Sequence, residues 1–325
     1  MKSGIKYLTL LAIAMVWHTH TFATDTTQVA AQFTSGKLNL HGKLVLPAAA
    51  EKVPVVVFLV GPGGNASHRT NYKEWGEENL EALLLPEGIA VFYFDKRGVG
   101  ASEGSWYKAD FNDRAADAKA AIDYLKQHSA IDSSRIGVVG HSQGGWIAQL
   151  VTSRYPNDVA FGVSLAGPTF GVKTQLLNSF MGDLMCKQYD PIEAQQTAER
   201  KTKNTLMFTS MFPIKENWKQ LKRIKNFEPA ADIRNIQTPF LFLFAENDKM
   251  LNSEWGEQYL QEIFPEGIPA HIQQQTIREA NHNFRRLPFC YDESLEDIPY
   301  SAEYQRTFKQ WVVNALQEKV QMAEE

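Results

Sequence analysis

The stretch RIGVVGHSQGGWIA, residues 135–148, decides how the chain folds. Its first half is apolar and β-branched, as a strand buried on both faces must be. Its second half opens with paired glycines and continues as a helix. Between the two lies Gly140-His141-Ser142-Gln143-Gly144, a G-x-S-x-G pattern. A serine on so sharp a strand-to-helix turn takes up strained backbone angles that expose its hydroxyl at the top of the sheet, while the flanking glycines let strand and helix come close. The N–H of Gln143 then falls at the helix N-terminus, where partial positive charge favours a developing oxyanion. The five-residue pattern alone arises by chance in many chains; its strand–turn–helix setting gives it weight. The competing reading is a serine that only caps the helix.

Outward from this point the same rhythm repeats. VPVVVFLV (53–60), GIAVFYFD (88–95), VAFGVSLAG (159–167) and TPFLFLFAEND (238–248) are nearly continuous in β-branched and aromatic residues. Helical patterns fall between the runs. Residues 110–128 place Ala116, Ala120, Ile122 and Leu125 among charges, with acids early and His128 late, as the helix dipole favours. Residues 144–156 stop at Pro156, and 301–319 close the chain as an amphipathic helix. Strands alternating with helices predict a mostly parallel sheet covered on both sides. FTSGKLNLHGKLVLP (33–47) alternates instead, and reads as antiparallel strands at a sheet edge. Residues from about 168 to 230 contain no buried-strand run and are too long for a loop, so they read as a helical insertion over one end of the sheet. Within it Met181, Met185, Met207 and Met211 recur at helical spacing beside Phe180, Phe208 and Phe212. Helices packed on the core are the favoured reading, and a pliable apolar wall for an acyl or alkyl group the sharper one.

The first 23 residues have the layout of a secretory signal peptide: Lys2 and Lys6, an apolar run from Tyr7 to Trp17, and small residues ending at Ala23. That run is about 11 residues, where a stable span needs about 20. A retained anchor helix is the alternative. The reading is an exported chain, periplasmic or secreted, with no stable membrane span after signal removal and residues 24–325 as one large α/β domain. Cys186 and Cys290 could bridge in an oxidising compartment or stay as two separate buried thiols. The net charge is −4, and the basic cluster KQLKRIK (219–225) reads as a solvated helix face, so nucleic acid is not an expected partner. No metal-binding pattern is present, and neither metal nor cofactor is expected.

Five segments, VGPGGN (60–65), FDKRGVGASEG (94–104), GHSQGG (140–145), AENDKM (245–250) and ANHNF (280–284), carry a resemblance to the α/β-hydrolase superfamily. Within it the chain resembles the serine-hydrolase branch of S33 aminopeptidase-like proteins and related carboxylesterases. The resemblance covers nearly all of residues 24–325, with 168–230 in the place of the family's variable cap. It implies Ser142 as nucleophile, followed in chain order by an acid and a histidine. Asp248 fits the acid, a few residues beyond a buried strand where an open α/β sheet places its site; Glu246 competes with it. His282 is the only histidine in a loop after a late strand, and His141 is expected to pack beside the nucleophile. The resemblance makes the loop 95–104 structural, with Arg97 in a fixed ion pair, although its glycines mimic a dinucleotide fingerprint. VGPGGN lacks the Gly-Lys-Ser/Thr of a phosphate loop. It lies where the family supplies its second oxyanion donor. Pro62 has no N–H, so Gly63 or Gly64 is expected to act with Gln143.

The expected function is therefore hydrolysis of a small carboxylic ester through an acyl-enzyme. An exopeptidase or amidase using the same three residues is the alternative. It would need a carboxylate for a free amino terminus, with Glu193 or Asp183 available in the insertion. Thioester hydrolysis and a catalytically silent binding scaffold rank lower.

Overall fold

The computed structural model describes residues 26–48, 51–291 and 298–324. The expected signal peptide, residues 1–23, lies outside them. Eight strands form one sheet: β1 (Thr27–Ser35), β2 (Leu38–Leu46), β3 (Val53–Leu59), β4 (Ala90–Phe94), β5 (Ile131–His141), β6 (Phe161–Leu165), β7 (Phe240–Ala245) and β8 (Ile272–Ile277). Their spatial order is β1-β2-β4-β3-β5-β6-β7-β8. β1 and β2 form the antiparallel edge hairpin, β2 joins β4 antiparallel, and every later pairing is parallel.

Every residue of β3, β4, β6 and β7 is buried, which is why these runs are apolar without alternation. Parity still sorts their side chains. Val55, Val57 and Phe242 face a layer built from the helices Phe111–Lys126, Gln143–Arg154 and Ser253–Ile263. Val56, Phe58 and Leu241 face the other layer, with Leu80, Leu84 and the helix Ala302–Glu324. In the helix Phe111–Lys126 the buried stripe runs through Phe111, Ala115, Ala118, Ile122 and Leu125, whereas Ala116 is exposed. Asp110 and Asp113 form a reciprocal capping box at its start.

Strand order reverses around β3, which lies between β4 and β5. A sheet of this kind opens a crevice beyond the carboxyl ends of the strands at such a reversal. The loop after β3 and the turn after β5 both emerge there. The helices Val172–Cys186, Pro191–Met211 and Glu216–Ile224 follow β6. Cys186 is joined by a disulfide to Cys290, across 104 residues of sequence, tying the first of these helices to the segment that follows β8. Closing so long a loop restricts the unfolded chain strongly. The Cys186→Ser/Cys290→Ser double variant is expected to lose roughly 2–5 kcal/mol of stability. Urea unfolding curves with and without reductant check this; a midpoint unchanged by both treatments would assign the bridge no role in stability. Among the described residues, no helix is long and apolar enough to cross a membrane.

Candidate active site

Ser142 stands between β5 and the helix Gln143–Arg154 with φ 55° and ψ −124°, a conformation L-residues avoid. The turn is held from both sides: Ser142 N–H donates to Leu165 O at 2.9 Å, and Gly145 N–H donates to Ser142 O at 2.8 Å. The two glycines of the pattern have a steric reason. A Cβ on Gly140 would stand 2.0 Å from Gly144 O, and one on Gly144 would stand 1.9 Å from Leu59 O. The strained turn therefore exists only because strand, helix and the neighbouring β3 touch backbone to backbone.

Asp248 and His282 come together from the loops after β7 and β8. His282 Nδ1–H donates to Asp248 Oδ2 at 2.6 Å, and both residues are buried. The other oxygen, Oδ1, accepts the N–H groups of Met250 and Leu251 at 2.8 and 3.0 Å, so the carboxylate cannot rotate. Asn281 shapes the histidine loop by accepting from Asn283 N–H and Arg285 N–H. With Nδ1 committed as a donor, Nε2 is left as the basic nitrogen. Glu246, the competing acid, instead accepts Glu279 N–H at 2.8 Å.

His141 connects these pieces. Its Nε2–H donates to His282 O at 2.9 Å, so its Nδ1 is the acceptor and takes the Tyr72 hydroxyl, also at 2.9 Å. Tyr72 Oη in turn accepts Gly61 N–H at 3.1 Å. One chain of hydrogen bonds thus runs from the loop after β3 through Tyr72 and His141 to the backbone of His282. Burial pushes the Tyr72 hydroxyl up to about 12, which keeps it a donor. Burial, and then the neighbouring His282, hold His141 down at about 3, although its bond to His282 O opposes this. Native His141 is therefore neutral while the unfolded chain binds a proton below about 6.5. Stability should fall by roughly 1 kcal/mol per pH unit as pH drops from about 6.5 toward 3. In His141→Gln this component disappears. Urea midpoints at a series of pH values should show a shallower acid slope for the variant; equal slopes would mean that His141 is not held neutral.

Two buried cations brace the same loop from beneath. Lys96 Nζ donates to Gly61 O at 2.7 Å, while Arg114 donates to Val60 O at 2.5 Å and to Gln143 Oε1 at 2.8 Å. Burial lowers Lys96 well below the ordinary lysine value, with repulsion from Arg114 adding and Asp95 opposing. Burial brings Arg114 down to about 10. Arg97 makes the ion pair expected of it, to Asp113 at 2.8 Å and Asp117 at 2.7 Å. Tyr72, Lys96 and Arg114 were not singled out from sequence. Charged residues beside turns and on an amphipathic helix look solvent-facing until the carbonyls they serve are known.

Two cavities flank the crevice and share Pro62. One, of about 330 Å³, is lined by Gly63, Gln143 and Trp146 together with Val172, Leu176, Leu221 and Ile224 from the helices after β6. The other, of about 360 Å³, is more polar, lined by Tyr72, Trp75, Asn283 and the ion pair Glu74–Arg285 at 2.9 Å. Of the two glycines expected as oxyanion donors, Gly63 lines the first cavity with Gln143, whereas Gly64 packs against the Trp106 indole. Glu193 and Asp183 are exposed and line neither cavity. The methionines of the insertion depart from core packing: Met207 and Met211, with Phe208 and Phe212, are exposed, and none of the four lines either cavity. Met181 and Phe180 do pack, on a small cluster of Leu184, Ala194 and Ala198. Among the described residues, no group of three or more His, Cys, Asp or Glu side chains is arranged to hold a metal ion.

A family model described as serine aminopeptidase, S33, matches residues 56–284, a span that contains Ser142, Asp248 and His282. The alpha/beta hydrolase domain-containing protein WAV2 of Arabidopsis thaliana is 31% identical over 127 residues, 39% of this chain and 38% of its own length. The quorum-quenching protein AidA of Acinetobacter baumannii is 30% identical over 146 residues, 45% of each chain. The matched region thus spans less than half the length of these relatives. Among solved structures, an esterase of Pyrococcus furiosus superposes with a TM-score of 0.60 at 17% identity, over 97% of this chain and 99% of that one.

Proposed function

The chain belongs to the serine aminopeptidase S33 family of α/β hydrolases, and from that premise we propose an exported serine hydrolase that cleaves carboxylic esters through an acyl-enzyme on Ser142. The observation that carries this reading is the buried 2.6 Å pair of His282 and Asp248, joined through His141 to a serine on a strained turn. His282 Nε2 takes the proton as Ser142 Oγ attacks the ester carbonyl. The oxyanion is received by the N–H groups of Gln143 and Gly63, at a helix N-terminus braced by Arg114. His282 then protonates the departing alkoxide, and water repeats the sequence to release the acid. Asp248 orients the ring and stabilises its protonated form.

The cavity beside Gly63 supports an ester with a hydrocarbon acyl group, since Val172, Leu176, Leu221, Ile224 and Trp146 give it an apolar wall. The polar groups Gln175, Ser179, Asn217 and Gln220 also line it. The Cys186–Cys290 disulfide supports export, alongside the charged and then apolar N-terminus. One observation favours an amide or aminoacyl substrate as a second reading. Glu74, not Glu193 or Asp183, places a carboxylate in the polar cavity beside Asn283. Nitrophenyl esters of graded chain length, assayed beside aminoacyl nitroanilides, decide between the two. Ester turnover with little amide turnover is the expected result, and turnover of aminoacyl amides alone would overturn the ester reading.

A further inference from the structure

The carboxyl end of the helix Pro191–Met211 and the turn after it carry a run of apolar side chains into solvent. Met207, Phe208, Met211, Phe212 and Ile214 are all exposed, Met211 at 62% and Ile214 at 75%. Soluble surfaces scatter such residues singly; a contiguous group marks a contact surface. The same stretch is the most basic part of the chain. Residues 200–225 hold eight lysines and arginines against one acid, Glu216, in a chain whose net charge is −4. Arg200, Lys203, Lys215, Lys219, Lys222 and Arg223 are exposed. Among the described residues, none of the eight cations is in a salt bridge.

Lys201, Lys215 and Lys219 lie over the rings of Phe180, Trp218 and Tyr107, which leaves their charge unneutralised. Apolar tips beside cations that no carboxylate neutralises match one kind of partner. The apolar side chains can enter the boundary between headgroups and acyl chains while the cations meet lipid phosphates. A second copy of the chain would set this basic face against its own charge in a two-fold contact, which like-charge repulsion opposes. The location adds a consequence. The helix Glu216–Ile224, which carries Lys219, Lys222 and Arg223, also lends Gln220, Leu221 and Ile224 to the same cavity as Gly63 and Gln143.

We propose that this basic, apolar-tipped face of the insertion docks the protein on anionic lipid bilayers and turns the mouth of the apolar cavity toward the lipid. Only that consequence for the cavity rests on the ester reading. Binding is measured without catalysis, so the two ideas fail separately.

The test is co-sedimentation of the full chain with vesicles of phosphatidylcholine alone and of phosphatidylcholine with about one-third phosphatidylglycerol. Partitioning should be at least about tenfold stronger on the anionic vesicles and lost near 1 M salt, where the Debye length is about 3 Å. Lys222→Glu/Arg223→Glu, which reverses two charges, should lower partitioning by at least about tenfold, as should Phe212→Ser/Ile214→Ser through lost apolar insertion. Both variants should hydrolyse a soluble short-chain ester as the parent does. Equal binding to neutral vesicles, or binding indifferent to both variants, would overturn the proposal. So would a concentration-dependent dimer, seen by light scattering, that Phe212→Ser/Ile214→Ser dissolves.

Discussion

Replacing Ser142 by alanine is expected to lower kcat/KM on a nitrophenyl ester by roughly a millionfold, the scale on which a triad serine hydrolase loses its nucleophile. The residual rate would come from substrate binding and the oxyanion donors alone. The fold should survive the change. The turn at Ser142 is held by backbone bonds to Leu165 and Gly145 and by the close approach of Gly140 and Gly144. The Ser142 side chain makes no capping bond to the helix it precedes, so deleting the hydroxyl strands no partner there. Matching urea midpoints for parent and variant, beside the collapse in rate, would separate chemistry from folding. A loss smaller than about a hundredfold would place the nucleophile elsewhere.

Asp248→Asn is expected to lower kcat by roughly ten-thousandfold with a small change in KM. The mechanism is a tautomer error. The carboxylate accepts from His282 Nδ1–H, from Met250 N–H and from Leu251 N–H, so every contact it makes is as an acceptor. An asparagine can keep the two backbone contacts through its oxygen, but then its NH₂ faces His282 Nδ1. The ring answers by moving its proton to Nε2, and the nitrogen that should take the Ser142 proton becomes a donor. Glu246→Gln is the control, because Glu246 meets Glu279 N–H and not the histidine. That variant should stay within a few-fold of the parent. A large loss in Glu246→Gln with a small one in Asp248→Asn would reverse the assignment of the acid.

The parts of the molecule legible in the sequence are those where a local pattern has a single physical meaning. Runs such as Val53–Leu59 and Phe240–Ala245 could be strands covered on both faces because nothing in them tolerates water. The turn at Ser142 announced itself because two glycines four residues apart are required where strand and helix backbones touch. Asp248 and His282 could be located by their places after late strands, but the 2.6 Å bond between them depends on how the loops after β7 and β8 close on each other. Tyr72 was invisible for a related reason. It sits on a loop without periodicity, and its role comes from partners at positions 61 and 141. Arg114 and Lys96 give no signal in sequence because charge implies solvent unless enough acceptors converge, and here the carbonyls of Val60 and Gly61 do. The same arithmetic explains the exposed Ala116: its helix turns Arg114 and Asp117 inward instead, Arg114 donating to Gln143 Oε1 and Val60 O, and Asp117 accepting from Ser35 and Arg97. Met207, Phe208, Met211 and Phe212 show the reverse case, apolar residues at helical spacing with no core to meet. Cys186 and Cys290 lie too far apart in sequence for any local rule, and only the fold brings them into a bond.

The central claim is that Ser142 is the activated nucleophile. It is tested most directly by treating the purified protein with a fluorophosphonate and locating the adduct by peptide mass spectrometry. A single adduct on the peptide bearing Ser142, absent in His282→Ala and blocked by prior incubation with an ester substrate, is the predicted result. An intact Ser142 peptide, or an adduct on another residue while ester hydrolysis is lost, would contradict it.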